Sequence, residues 1–187
     1  MRQLVHEGLA TDKYLRLGEQ QPHSLETIML RGEAPEAKQL AGWEYRGMNV
    51  AFWAGVLPIK KFVKGFYADE RGRVYGYNEP LVQNDLGAPW TAKPSDAQPK
   101  RFGFFLVTPP DPTAKDNLYL NSVLLDYGRG KNPTLDPSRG LRDYVVRIEK
   151  GSDELLLGKA FYALGPLRLP TFSYFLLERH RPTDFRR

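Results

Sequence analysis

The 187-residue chain is 41% hydrophobic and 12% aromatic, enough to fill one generous domain and too much for a disordered chain. Its formal net charge is +5, with 27 Lys and Arg spread among 22 Asp and Glu, so the surface is mildly basic without a concentrated patch for nucleic acid or anionic lipid. It has no cysteine, which excludes a disulfide framework, a thiolate zinc site and a cysteine nucleophile.

Residues 1–21 are polar and weakly patterned, an N-terminal arm. Met1 to Ala10 hold no apolar core of a secretion signal, so a cytoplasmic location is the expectation. Ser24 can cap a short helix whose Leu25, Ile28 and Met29 share a face and which stops at Gly32; a second turn runs from Ala34-Pro35-Glu36 to Gly42. From Trp43 the period changes to two. Trp43, Tyr45 and Gly47 alternate with Glu44 and Arg46, and strands over 59–67 (with Lys60, Lys61 and Lys64) and 73–78 form a hairpin about the turn at 69–72. Residues 79–100 form the longest loop, 101–107 a strand stopped by Pro109-Pro110, 118–127 an alternating strand, 128–140 a second long loop, and 141–150 the cleanest alternation.

Two last runs, 154–164 and 170–180, meet at Gly165-Pro166 and are apolar on nearly every position of both faces. A bare hairpin of that kind is marginal in water and must lie deep in a larger sheet, and closing the sheet hides its edges. The expected fold is therefore mainly β: an antiparallel up-and-down barrel of about eight strands with a short N-terminal helix, preferred over a sandwich. It occupies 22–181 as one domain and leaves a basic tail at 182–187. A lumen packed solid with rings, or helices covering the final hairpin, would count against a ligand inside.

Gly42-Trp43-Glu44-Tyr45-Arg46-Gly47 on the first strand, with Arg179 late in the last, resembles the opening motif of the calycins, the lipocalins and fatty-acid-binding proteins among them, and extends to smaller bacterial lipocalin-like barrels. The resemblance implies an aromatic side chain packed at the barrel floor against the late arginine. It also implies a lumen that holds a small hydrophobic or amphipathic ligand.

Assigning the aromatic residues of the strands to the inner face predicts a lumen lined by Trp43, Tyr45, Tyr75, Tyr77, Phe104, Tyr119, Asn121, Tyr144, Tyr162 and Tyr174, suited to a flat or long apolar molecule with one polar end. The segment 48–61 combines Phe52, Trp53, Val56, Leu57 and Ile59 with Lys60 and Lys61. It reads either as a lid that touches a membrane or admits a ligand, with Trp53 as its anchor, or as a core strand with a bulge at Gly55. His6, His23 and His180 lie at no ligand spacing, so no metal and no cofactor is expected. The leading reading is a binding protein without turnover. The alternative is an isomerase or cyclase on the same barrel, with Arg142, Asp143 and Tyr144 transferring protons. A weaker alternative is stacking of single-stranded nucleic acid on exposed aromatic rings.

Overall fold

The computed structural model describes residues 9–51, 59–114 and 117–187, the side chains of Ala51, Phe172 and Ser173 excepted. Eight antiparallel strands pair in chain order, and the last returns to the first to close a barrel. They are β1 (Trp43–Ala51), β2 (Lys61–Ala68), β3 (Val74–Pro80), β4 (Phe102–Thr108), β5 (Val123–Asp126), β6 (Leu141–Arg147), β7 (Leu155–Leu164) and β8 (Leu167–Pro182). Among the described residues three helices precede them: α1 (Asp12–Gly18), α2 (Pro22–Arg31) and α3 (Ala37–Leu40).

Three elements differ from expectation. Residues Asp12–Gly18, assigned to an arm, form a helix because the Thr11 hydroxyl caps it, accepting from the Tyr14 amide at 3.2 Å, and because Tyr14 is buried against the wall. The strand expected over 118–127 shrinks to Val123–Asp126. Ser122 folds back onto the Tyr119 carbonyl at 2.7 Å, and Asn121 donates to the carbonyls of Met29 and Gly32 at 2.9 Å, closing the C-terminal end of α2. The helix expected from Ser24 instead starts at Pro22, a residue whose missing N–H costs nothing in a first turn.

Closure alone does not shelter the final hairpin, and one of the two observations set against a lumen ligand, helices over that hairpin, is met. Its outer face is covered by α1 and α2: Tyr14, Leu25 and Met29 join Leu155, Leu157, Phe161, Tyr174 and Leu176 in one buried cluster. Trp90, from the loop 79–100, packs edge-on against Tyr14 and extends the same layer. Both faces of the wall are therefore apolar, one toward the lumen and one toward this outer coat, which is why the two runs show no polar face.

Register decides which face is which, since residues directly opposite in a ladder point to the same side. Tyr45 faces Lys64 and Lys64 faces Asn78, while on the other side Glu44 faces Gly65 and Gly65 faces Tyr77. Tyr45 belongs to the inner cluster with Phe62, Phe66, Phe105, Leu125, Tyr127, Leu156, Phe175 and Leu177. Three inner glycines make room for these rings. Gly47, Gly76 and Gly158 lie directly opposite Phe62, Phe105 and Phe175, and a Cβ on any of them would enter the ring. At the closed end the Arg179 guanidinium stacks 4.9 Å from the Trp43 ring and donates to the Tyr45 hydroxyl at 3.2 Å, and buried Leu40 of α3 adds to the floor.

Candidate functional site

The closed half of the lumen is filled by rings; the open half is not. A cavity of about 200 Å3 remains there, lined by Asn49 and Ile59 at the rim, Phe62, Phe102, Leu141, Ala160 and Phe175 on the walls, and a polar group at one side. That group is Lys64 of β2, Asn78 of β3, Tyr127 just after β5 and Asp143 of β6: Lys64 and Asn78 are direct ladder partners, and Asp143 and Tyr127 join them from the inner face of β6 and the turn after β5.

Lys64 is 3% exposed and Asp143 is also 3% exposed, so neither charge is tolerable alone. The ammonium donates to Asn78 Oδ1 at 2.9 Å, to the Tyr127 hydroxyl at 2.5 Å and to Asp143 Oδ2 at 3.1 Å. Tyr127 in turn donates to Asp143 Oδ2 at 3.0 Å, and the Asn78 amide reaches the Gly103 carbonyl at 2.8 Å. The rings of Phe62, Phe105, Tyr127 and Phe175 surround the ammonium, with centroids 5.1–5.3 Å from Nζ. Burial pulls the Lys64 pKa below that of a free lysine, opposed by the Asp143 carboxylate. Burial, reinforced by the charge of Asp143, pushes the Tyr127 hydroxyl well above the usual tyrosine range, so it stays protonated and donates.

Of the residues expected in the lumen, Trp43 and Tyr45 are inside, at the floor and away from the cavity. Tyr162 sits near the rim, its ring over Gly140 and its hydroxyl on the Pro137 carbonyl at 3.1 Å. The others are on the outer face. Tyr75, Tyr77 and Phe104 pack together there beneath Phe185 of the tail. Tyr119, Tyr144 and Tyr174 lie on the α2 side, where Tyr119 and Tyr174 donate to Glu26 and Lys159 bonds to Glu26 at 2.7 Å. Asn121 serves α2 as described. Alternation holds along β1, β3 and β6 but not through β4, where a register shift near Gly103 puts Phe102 at the cavity and Phe104 outside, nor at 118–122, which is not strand. The lumen side is as expected for Trp43 and Tyr45 and reversed for Tyr75, Tyr77, Tyr144 and Tyr174, because the outer coat makes both sides aromatic.

Of the proposed proton-transfer residues only Asp143 reaches the cavity. Arg142 points outward to Asp126 at 3.2 Å, and Tyr144 is buried outside. Trp53 and Phe52, with Val56, Leu57 and the bulge read at Gly55, lie outside the described residues, as does His6. Lys60 is exposed, but Lys61 is fully buried and cannot border a membrane surface. His180 accepts at Nδ1 from Arg46 at 2.9 Å. Among the described residues no group of three His, Asp or Glu side chains could hold a metal.

Lys64, Asn78 and Tyr127 were not singled out from the sequence. One signal was available for Lys64: it stands two residues from Phe62 and two from Phe66, so it shares their face. A scan of protein-family models and a search of curated proteins return no match to this chain.

Proposed function

We propose that this lipocalin-like barrel binds a small, mostly apolar molecule bearing one polar group, held at the open end of the lumen without turnover. The observation that carries the reading is a cavity with apolar walls that ends on a buried Lys64–Asp143 ion pair. Its size favours the flat ligand over the long one. At about 200 Å3 it is below the roughly 300–1,000 Å3 of drug-sized sites, whereas an apolar cavity of about 150 Å3 holds a benzene ring. The Arg179–Trp43 stack at the floor supports kinship with the calycins. Native mass spectrometry of the purified full chain tests the reading: a bound adduct of one-ring size is expected. A bare chain that also fails to take up any one-ring compound would refute it.

Exposed Ile59, Phe102, Leu164, Leu167 and Leu169 all sit at this open end, and with Lys60 they favour entry of the ligand from a membrane surface. Co-sedimentation with anionic vesicles should then fall in a Leu164→Ser/Leu167→Ser variant; sedimentation unchanged by the substitutions argues against that route.

The second reading is an isomerase, favoured by the Tyr127–Asp143 hydrogen bond at the cavity wall, with Asp143 as base and Tyr127 as proton donor in place of Arg142 and Tyr144. Exchange of the α-hydrogens of cyclohexanone in heavy water, fast with the native chain and lost in Asp143→Asn, would favour it over simple binding; no exchange above background removes it.

A further inference from the structure

Hydrogen-bonding capacity at the polar side of the cavity is unevenly used. The three protons of the Lys64 ammonium are matched by three acceptors, Asn78 Oδ1, the Tyr127 oxygen and Asp143 Oδ2. The single proton of Tyr127 goes to Asp143 Oδ2, and the Asn78 amide protons go to the Gly103 carbonyl and, at 3.3 Å, to the Tyr127 oxygen. Among the Lys64, Tyr127 and Asn78 protons no donor is left over. Acceptors are: both bonds to Asp143 end on Oδ2, and among the described residues Oδ1 takes none, although Asp143 lines the cavity. The Ser138 hydroxyl, buried in the same wall, also has no partner.

We infer that the ligand of this cavity is a neutral hydrogen-bond donor, an alcohol, a phenol or an N–H heterocycle, whose proton goes to Asp143 Oδ1. The inference rests on the lumen-binding reading and names the chemistry of its ligand. A buried lysine invites the opposite expectation, a carboxylate. A carboxylate, however, finds no unused proton on Lys64, Tyr127 or Asn78, only the Ser138 hydroxyl and the second Asn49 amide proton at the rim, and it meets the charge of Asp143, so it reaches the ammonium only by breaking the Lys64–Asp143 pair. A protonated amine could reach Oδ1 but would sit beside the Lys64 ammonium, with like charges in a site of low polarity. A plain hydrocarbon would strip water from Oδ1 and return nothing. Lys64 is then a positioning residue: it holds the carboxylate turned so that one oxygen faces the ligand. Ser138 is placed in the wall to return a proton to the ligand's own oxygen.

Four probes of similar size separate these cases on the full chain at neutral pH: phenol, toluene, benzoate and benzylamine, titrated by calorimetry or by NMR shifts of the cavity residues. Phenol should bind about tenfold or more tighter than toluene, the loss expected when a buried acceptor goes unpaired, and tighter than either charged probe. In Asp143→Asn the amide oxygen stays on Lys64 and Tyr127, so the amide N–H2 takes the place of Oδ1; the preference should turn from phenol to benzoate, which also supplies the missing counter-charge. If that variant does not fold, the native series decides alone. Toluene or benzoate binding as tightly as phenol overturns the inference and leaves lumen binding in place, whereas no binding by any of the four overturns both.

Discussion

Strand β2 buries two ammonium groups three residues apart on opposite faces of one wall, and their surroundings differ in kind. Lys61 points outward into the loop 79–100, where it meets Asn84 Oδ1 at 2.6 Å and the main-chain carbonyls of Asp85, Ala88 and Pro89 at 2.9–3.2 Å, with the Trp90 ring 4.4 Å away. Lys64 points inward and meets only side chains. An ammonium wrapped in carbonyl oxygens fixes the path of a loop, which accounts for so long a segment lying ordered against the wall. One wrapped in a carboxylate, a phenol and an amide holds groups that can still address a ligand. The same residue type, shielded from solvent under a loop on one face and deep in the lumen on the other, is architecture in the first setting and candidate chemistry in the second.

That contrast can be broken most sharply at Lys64. Replacement by Met leaves Asp143 buried without its counter-charge and should cost about 3–5 kcal/mol in urea melts. Adding Asp143→Leu should return most of that loss; a double variant no more stable than the single one would mean the pair is not coupled. Lys61→Met should cost less, about 1.5–3 kcal/mol, because the freed carbonyls can turn to water as the loop opens. Its signature is local, with amide exchange and proteolysis rising across 79–100 while the β5–β6 amides stay protected; a uniform rise would erase the distinction between the two lysines. Gly158→Ala, which drives a methyl into the Phe175 ring on the inner face, should cost about 1–3 kcal/mol and reduce cavity binding. The same substitution at exposed Gly87, where a Cβ meets nothing, should leave both unchanged.

The last effects are pH slopes, and they belong to the outer face. Glu79, fully buried beside Glu44, Arg101 and Arg181, is pushed up to about 7 by burial and then by the charge of Glu44. The folded state thus holds a proton that the unfolded state releases near 4.5, and stability falls as pH rises from about 4.5 to 7. His180 is pulled down to about 4 by burial and then by Arg46 and Arg181, so the unfolded state protonates first and stability falls as pH drops from 6.5 to about 4. The two slopes oppose each other. Relative to the native chain, Glu79→Gln should gain stability with rising pH between 4.5 and 6.5, and His180→Gln should lose it; thermal melts across that range in which both variants track the native chain would show that neither group titrates as described.

Much of the barrel was legible. The switch to period two at Trp43, the turns at 69–72 and 165–166 and the apolar final hairpin lead to a closed antiparallel sheet, and seven of the eight strands fall on the runs that alternation or continuous apolarity marks out. The strand before β6 was overextended, because alternation in 118–122 serves contacts to α2 that local pattern does not reveal. The site was harder. Alternation groups residues by face but does not say which face is the lumen, and here a coat of helices and loop puts tyrosines on the outside. The better clue lay in the less conspicuous residues: strand glycines opposite phenylalanines, and a lysine flanked by Phe62 and Phe66, mark the crowded inner side. Asp143 could be named as a carboxylate on a strand; its partners come from strands distant in sequence, and no local spacing joins them.

Phe62 and Phe175 meet edge to face, 6.0 Å apart, each lying over the bare backbone of a neighbouring strand's glycine. Neither ring takes part in the barrel's ladders, so shaving either one would deepen the pouch while the framework's bonding stays intact. The gauge of this vessel is thus set by two removable stoppers, and a lineage carrying it could move from a thimble to a shaft in a step or two, with the recognition group above left in place.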